Sequence, residues 1–295
     1  MYTSDDDDNL RWRGFAFRDG DIVISTRSKH GTTWVQQICA LLLFGGPDLP
    51  APLAELSPWV DWLIEPRDEL FARLAAQPHR RLLKSHTPLD GLPQDARASY
   101  VVVARHPLDG AVSLYHQGAN LDRGRIAALS GHPAPKPGPP RPPVAQWLRE
   151  WTTSTVTHRE SLESPAGVLH HVTDAWQRRA AAAADHDLPR VVLVHYADLE
   201  ADLAGEMRRL AAALDLPVTE ERLPGLVAAA GFEAMKDAAE TTAPDPRGVL
   251  RSRAAFFRSG GSGGGQALLG ADDVAAFEVR CRELAPAPVV DWLLR

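Results

Sequence analysis

The sequence predicts an α/β protein: a central, mostly parallel sheet flanked by helices. Three observations predict it. Short β-branched runs at Ile22–Ser25, Tyr100–Ala104 and Val191–His195 read as buried strands. Helix-period segments lie between them, and strands alternating with helices pair in parallel with both faces covered. The polar residues that need explaining fall just after Ile24, Leu83 and Ala104. Open α/β sheets bind ligands there, beyond the carboxyl ends of their strands.

The elements follow in chain order. Residues 1–13 carry four consecutive aspartates, Asp5–Asp8, and read as a disordered, solvated tail rather than a metal site. A single domain is expected over 14–295. Ile22–Ser25 breaks into a polar loop that reaches Thr33, and the apolar run Trp34, Val35, Ile38, Leu41 and Leu42 sets a helix over Thr33–Leu43. Asp68–Ala76 is the next helix and Arg81–Leu83 a weaker strand. Helices are expected at Leu108–Gln117, His171–Ala184 and Leu199–Leu214. Residues 132–143 are too rich in proline for a helix or a central strand, so they read as an extended loop above the site. Residues 256–270 form a glycine-rich segment, with Gly260–Gly265 as its flexible part. Arg258 beside it suits an anion-binding flap; a plain surface loop suits the glycines equally.

Composition excludes several classes. At 295 residues the chain has room for one large α/β domain or two small ones. A formal net charge of −6 argues against broad nucleic-acid binding. No apolar run approaches the ~20 residues that span a membrane. The N-terminus lacks the basic and apolar regions of a signal peptide. Cys39 and Cys281 sit in apolar, helix-like segments and read as buried free thiols, which fits a reducing cytoplasm.

Three constellations carry chemistry. In the first, Thr26-Arg-Ser-Lys-His-Gly-Thr-Thr-Trp34, a strand turns sharply into a helix. Such a turn gathers free backbone N–H groups and the positive helix end at one point, an anion site. Lys29 adds charge, Gly31 permits close approach, and Thr32 and Thr33 add hydroxyls. The order is not that of the Walker A loop, because the lysine precedes the glycine. A surface turn with a solvated lysine fits the loop equally well. In the second, Lys84-Ser-His86 ends a strand: the histidine suits proton removal from a hydroxyl, and the lysine shares its face. A structural strand-end histidine is the plainer reading of that segment alone. In the third, Arg105 leaves a buried strand and Ser113 follows inside a helix, so a guanidinium and a hydroxyl can converge on one phosphate. Arg105 could instead pair with Asp109 at the helix start. His106 and His116 read as structural or solvated.

In this order and spacing the three segments resemble the cytosolic-type sulfotransferases, enzymes that use 3′-phosphoadenosine 5′-phosphosulfate (PAPS) as sulfuryl donor and release adenosine 3′,5′-bisphosphate (PAP). Residues 26–34 are similar to the family's 5′-phosphosulfate loop, usually Thr-Tyr-Pro-Lys-Ser-Gly-Thr-Thr-Trp. Lys84-Ser-His86 resembles its Lys-Thr-His segment, and Arg105 through Ser113 its 3′-phosphate motif. The similarity extends from about Gly14 to Leu284 and is weakest in the last third. It implies the family's P-loop-like fold. It also implies a cofactor site of Lys29, His30, Gly31, Thr32, Thr33, Trp34, Arg105 and Ser113. Tyr196 and Phe232 align with further adenine contacts, and Phe257-Arg258-Ser259-Gly260 with the flap that closes on the 3′-phosphate.

The implied chemistry is in-line sulfuryl transfer without a metal, with His86 as base and Lys29 and Lys84 stabilising charge. The expected partner is a small hydroxyl acceptor, hydrophobic or phenolic, walled by Pro58–Trp62, the Tyr115–Leu129 region and the proline-rich loop. Departures from the pattern are Arg27-Ser28 for Tyr-Pro, His30 for serine, Ser259 for lysine, and Gly263–Gly265 where Gly-Asp-Trp is usual. They imply a weaker phosphate contact and a more mobile flap. The family's C-terminal dimerisation motif is absent, which leaves the oligomeric state open. Two other readings remain: a nucleoside or small-molecule kinase with an atypical phosphate loop, and a non-catalytic PAP-binding relative.

Overall fold

A computed structural model describes residues 1–133, 136 and 138–295; three positions of the proline-rich loop, Ala134, Pro135 and Pro137, lie outside the described residues. Four strands build the sheet: β1 (Ile22–Thr26), β2 (Leu82–Ser85), β3 (Ser99–Ala104) and β4 (Arg190–His195). All pair in parallel in the order β2-β1-β3-β4. The chain leaves β1 toward β2, then returns to β1's other edge as β3. That reversal opens a crevice at the carboxyl ends of β1 and β3.

Helices fill both faces. α1 (Thr32–Phe44) follows β1, and α2 (Leu53–Leu56) and α3 (Arg67–Ala76) precede β2. α4 (Pro107–Asn120), α5 (Arg123–Ser130), α6 (Val144–Thr152) and α7 (Pro165–Ala184) connect β3 to β4. After β4 come α8 (Tyr196–Ala201), α9 (Leu203–Ala213), α10 (Leu223–Ala230), α11 (Phe232–Asp237), α12 (Ala239–Thr242), α13 (Ala271–Leu284) and α14 (Ala287–Leu293). Alternate strand residues face opposite layers. Ile22, Ile24, Val101 and Val103 pack with Ile38 and Leu41 of α1 and with Leu210 and Leu226. Val23, Tyr100 and Val102 pack with Trp12, with Leu70 and Leu74 of α3, and with Ala175 of α7. Both faces are therefore apolar, which is why the strands read as unbroken hydrophobic runs.

Three expectations need correction. The helix read over Leu199–Leu214 is two helices, because Asp202 accepts from the N–H of Gly205 at 2.8 Å and so caps the start of α9. β2 lies later than Arg81–Leu83, so Lys84 is a strand residue opposite Ile24. Arg81 instead forms a buried ion pair with Asp21. The acidic tail, residues 1–13, is folded onto the domain. Tyr2 and Trp12 are buried, Asp8 donates its N–H to the Asp61 carbonyl at 2.9 Å, and Leu63 donates to the Asp6 carbonyl at 2.9 Å. Apolar anchors at both ends of the aspartate run hold it down, a signal outweighed in sequence by four adjacent charges.

Candidate active site

The crevice is a cavity of about 400 Å³ lined from both sheet edges. Its floor is the turn from β1 to α1. Lys29 has φ 67° and Gly31 φ 106°, so the turn uses two left-handed residues in succession but one. Only glycine suits position 31, since a Cβ there would stand 3.0 Å from the Tyr196 ring. No side chain caps α1. The first-turn N–H groups of Thr32, Thr33 and Trp34 are thus left for a ligand, with the positive end of the helix behind them. Thr26 and Thr32 share a hydroxyl–hydroxyl hydrogen bond that ties the strand end to the helix start.

Cations converge on this floor. The Lys29 ammonium sits 3.6 Å above the Phe256 ring centroid. The Arg105 guanidinium lies 4.2 Å from the Tyr196 ring centroid and donates to the Gly261 carbonyl, while its buried Nε has no partner. Arg258 and Ser113 also line the cavity. Among the described residues, Lys29, Lys84, Arg105 and Arg258 form no salt bridge. Burial, and then Arg105, Lys84 and Arg258, push the Lys29 ammonium down to about 7. Buried cations without counterions are costly, and a polyanion in the cavity would relieve that cost.

At the edge of the floor, β2 delivers Lys84 and His86. The Lys84 ammonium lies 4.3 Å from the Trp59 ring centroid. Burial lowers it to about 8 against the opposing pull of Asp7 and Asp61. His86 donates its Nδ1–H to the Thr26 carbonyl at 2.5 Å. That bond sets the tautomer and leaves Nε2 as the free acceptor. Burial, with Lys84 and Arg27 beside it, holds the imidazole well below its ordinary value, so it is neutral at pH 7. Behind it, the Asp61 carboxylate accepts from Ser85 Oγ at 2.6 Å, Thr87 Oγ at 3.0 Å and the His86 N–H at 3.3 Å. Trp12 Nε1 donates to the same carboxylate.

The remaining aromatic residues flank the floor. Trp34 and Tyr196 meet edge to face at 4.9 Å, and Trp34 Nε1 donates to the Ala230 carbonyl at 2.8 Å. Phe232 lies over Gly260, whose φ of 61° and close approach to that ring suit glycine alone. Phe257, Ser259 and Gly260 also line the cavity. The structure thus gathers the named residues around one cavity, with the exception of the His30 side chain. Its ring lies under Gly110 of α4, donates Nδ1–H to the Ser28 carbonyl at 2.9 Å, and is pushed down to about 4 by burial.

Two further departures from expectation concern loops. Asp109 does not pair with Arg105; its carboxylate accepts the N–H groups of Gly263 at 2.8 Å and Gly265 at 2.7 Å, fastening the glycine-rich segment to α4. None of the described residues of 132–143 lines the cavity. Arg141 donates to the Tyr115 carbonyl and Tyr115 Oη to the Pro142 carbonyl, which pins that loop against the outer side of α4. Motif reading missed Phe256, the N-terminal residues Ser4, Asp6 and Asp7, and the bonding of Asp61 behind His86, because each comes from a loop or a single short turn outside the three motifs.

These features describe a class: an α/β protein whose cationic strand–helix turn, beside a neutral histidine, suits group transfer from an anionic donor. Comparison with known proteins agrees. Residues 19–286 match the model of the sulfotransferase domain. A glycolipid sulfotransferase of Mycobacterium bovis is 42% identical, aligned over 97% of this chain and 91% of its own. The fold is shared with a mouse sulfotransferase crystallised with PAP, at a TM-score of 0.66 and 18% identity over 96% of this chain and 90% of that one. A retinol dehydratase complexed with retinol and PAP gives 0.65 and 20%, over 94% and 84%. The chain belongs to the sulfotransferase family and is a sulfuryl-transferring enzyme.

Proposed function

We propose that the protein moves the sulfuryl group of PAPS to a hydroxyl on the sugar head of a glycolipid. The observation that carries the reading is the convergence of four unpaired cations on the cavity that also holds His86. The residues present suit the donor. Uncapped α1, Lys29 and the threonines form one anion cradle. Arg105, with its unpartnered Nε, and Ser113 form a second. Trp34, Tyr196 and Phe232 offer rings for a base between them. PAPS supplies an activated sulfuryl group and is left as PAP.

The chain's own groups do the rest. His86 Nε2 takes the acceptor proton as the hydroxyl oxygen bonds to sulfur and the bond from sulfur to the phosphate oxygen breaks. Lys29 offsets negative charge on the departing phosphate, and Lys84 does so at the transferring sulfonate. Positioning and charge stabilisation dominate, as in phosphoryl transfer.

The acceptor assignment rests on the M. bovis relative's activity and on this cavity's far side. Trp59 and Trp62 stack at 4.6 Å there, and Leu114, Leu121 and Ile126 add an apolar wall. Flat aromatic faces and aliphatic side chains suit a sugar ring with a lipid tail; a simple phenol would leave much of that wall uncovered. Incubation with PAPS and a panel of glycolipids, phenols and alcohols, read by mass spectrometry, tests the proposal. Sulfated glycolipid as the main product supports it. Sulfation confined to phenols sinks the acceptor assignment. Binding of ATP in preference to PAP, measured by calorimetry, sinks the donor assignment and revives the kinase reading.

A further inference from the structure

The four N-terminal aspartates do four different things. Asp5 is exposed. Asp6 pairs with Arg123 of α5. Asp8 accepts from the Leu10 N–H at 2.8 Å and caps the short turn Asn9–Trp12. Asp7 is bonded only through its backbone: its N–H goes to Ser4 Oγ at 3.0 Å, and its carbonyl accepts from Ser4 N at 2.8 Å. Neither oxygen of its carboxyl group has a hydrogen-bond partner among the described residues, and Oδ1 is closed off from bulk solvent although the residue as a whole keeps partial exposure. Asp7 lines the cavity together with Ser4, Trp62, Lys84 and His86. A second polar group on the same side is also unpartnered and buried, the indole Nε1 of Trp59. A buried acceptor and a buried donor, both unsatisfied, normally indicate a missing polar ligand.

We infer that Asp7 is an acceptor-specificity residue: its carboxyl binds a hydroxyl of the glycosyl head other than the one that His86 deprotonates. The inference rests on the glycolipid reading above. Lys84 does not satisfy the carboxyl, since no ion pair joins them, although Lys84 senses its charge. A sugar ring offers vicinal hydroxyls that can reach a carboxyl and an indole N–H at once; a phenol or a simple alcohol offers one hydroxyl, and that one faces His86. Burial, with Asp61 and Asp6 adjacent and only partly opposed by Arg27, holds the Asp7 carboxyl well above the usual carboxylate range. A carboxyl oxygen accepts from a sugar hydroxyl, and so does an amide oxygen, so an amide should replace it.

The test compares two acceptors with the same tail and a primary hydroxyl each: an alkyl β-glucoside and the alkan-1-ol of equal chain length. The quantity read is the ratio of their kcat/KM values. Asp7→Ala should lower the glucoside-to-alkanol ratio about tenfold, and Asp7→Asn should keep it within about threefold of the parent enzyme. A ratio unchanged in Asp7→Ala overturns the inference. Tyr2→Phe controls for loosening of the segment, because Tyr2 Oη anchors it to Asp90 at 2.8 Å without lining this cavity. A Tyr2→Phe ratio equal to the parent's supports the carboxyl's role; a matching tenfold fall assigns the effect to anchoring and overturns it. A parent enzyme that sulfates the alkanol and not the glucoside overturns the acceptor reading and this inference together. A parent preference for the glucoside that survives in Asp7→Ala overturns this inference alone.

Discussion

The two halves of the cavity are built differently. On the donor side, Lys29, Arg105 and Tyr196 each sit within a few residues of a strand's carboxyl end, and Ser113 two turns into the helix that follows. Their places are set by a parallel sheet whose register admits no slip, since both faces are buried. On the acceptor side, Ser4, Asp7, Trp59, Trp62, Ile126 and Leu250 come from segments far apart in the chain. Isolated bridges hold several of them, such as Asp7 to Trp62 and Leu121 to Leu250; Trp59 bridges to Lys84 of β2, and Ile126 sits on α5. The difference teaches where chemistry and choice reside. On the proposed function, transfer depends on backbone geometry that the fold enforces, and recognition on side chains hung largely from loops that sequence change can replace.

Substitutions on the two sides should therefore fail differently. The largest effect is expected at the junction. His86→Ala should lower kcat by about 10²–10⁴-fold while the PAP affinity stays near the parent value, because the ring's Nε2 is its only free polar atom. Single-turnover kinetics with calorimetry checks both halves of that statement. An unchanged kcat would remove His86 as the base. On the donor side, Arg105→Ala should raise the KM for PAPS by about 10–100-fold, since a charge-assisted contact in a buried site contributes roughly 1.5–3 kcal/mol. Arg105→Lys should rescue it poorly, because a point charge cannot both stack on Tyr196 and hold the Gly261 carbonyl.

On the acceptor side, Trp59→Ala should lower kcat/KM for a glycolipid about tenfold and leave PAP binding within about threefold. Equal losses for donor and acceptor would break the division drawn above. Asp109→Ala tests the fastening of the glycine-rich segment. It removes two hydrogen bonds to a charged group, at 2.8 and 2.7 Å, and should weaken PAP binding about three- to tenfold through the loosened Arg258–Gly260 stretch. If PAP binds as before, the segment does not depend on that carboxylate.

The same contrast explains how much was legible in the sequence. The sheet, α1, α4 and the residues that line the floor of the cavity could be read because strand, turn and helix follow one another locally. The chemistry of the turn, a lysine and a glycine before two threonines, is written in nine consecutive residues. The acidic tail could not be read. Its fate depends on Tyr2 reaching Asp90 and Trp12 reaching Asp61, contacts that span 88 and 49 residues. Nor could the fixing of Gly263 and Gly265, whose partner Asp109 lies 154 residues earlier than the first. His30 shows the limit of a local motif. It stands among the donor residues, yet its ring fills the space left by Gly110.

The smallest effect, near pH 7, is a pH dependence that separates the halves by charge alone. Without a donor, burial and neighbouring cations hold Lys29 at about 7, and burial alone holds Lys84 at about 8. Bound phosphate groups favour the charged ammonium and raise both values. At pH 8 PAP should therefore bind with uptake of about 1.4 protons, since Lys29 starts mostly neutral, Lys84 starts about half neutral, and both end charged. The phosphates do not compete for that proton, being already ionised with a second pKa near about 6. At pH 6 both lysines are charged beforehand and the protein's uptake should vanish. Affinity then falls as pH rises through 7 and 8, by less than tenfold per unit near pH 7 and by somewhat more than tenfold per unit near pH 8. Calorimetry in two buffers of different ionisation enthalpy reads the proton count directly, and Lys29→Met should abolish most of it. The acceptor side offers the contrast: binding of an uncharged glycoside touches neither ammonium's counterion need and should carry no such uptake. Proton uptake on glycoside binding equal to that on PAP would mean that the lysines serve both halves alike.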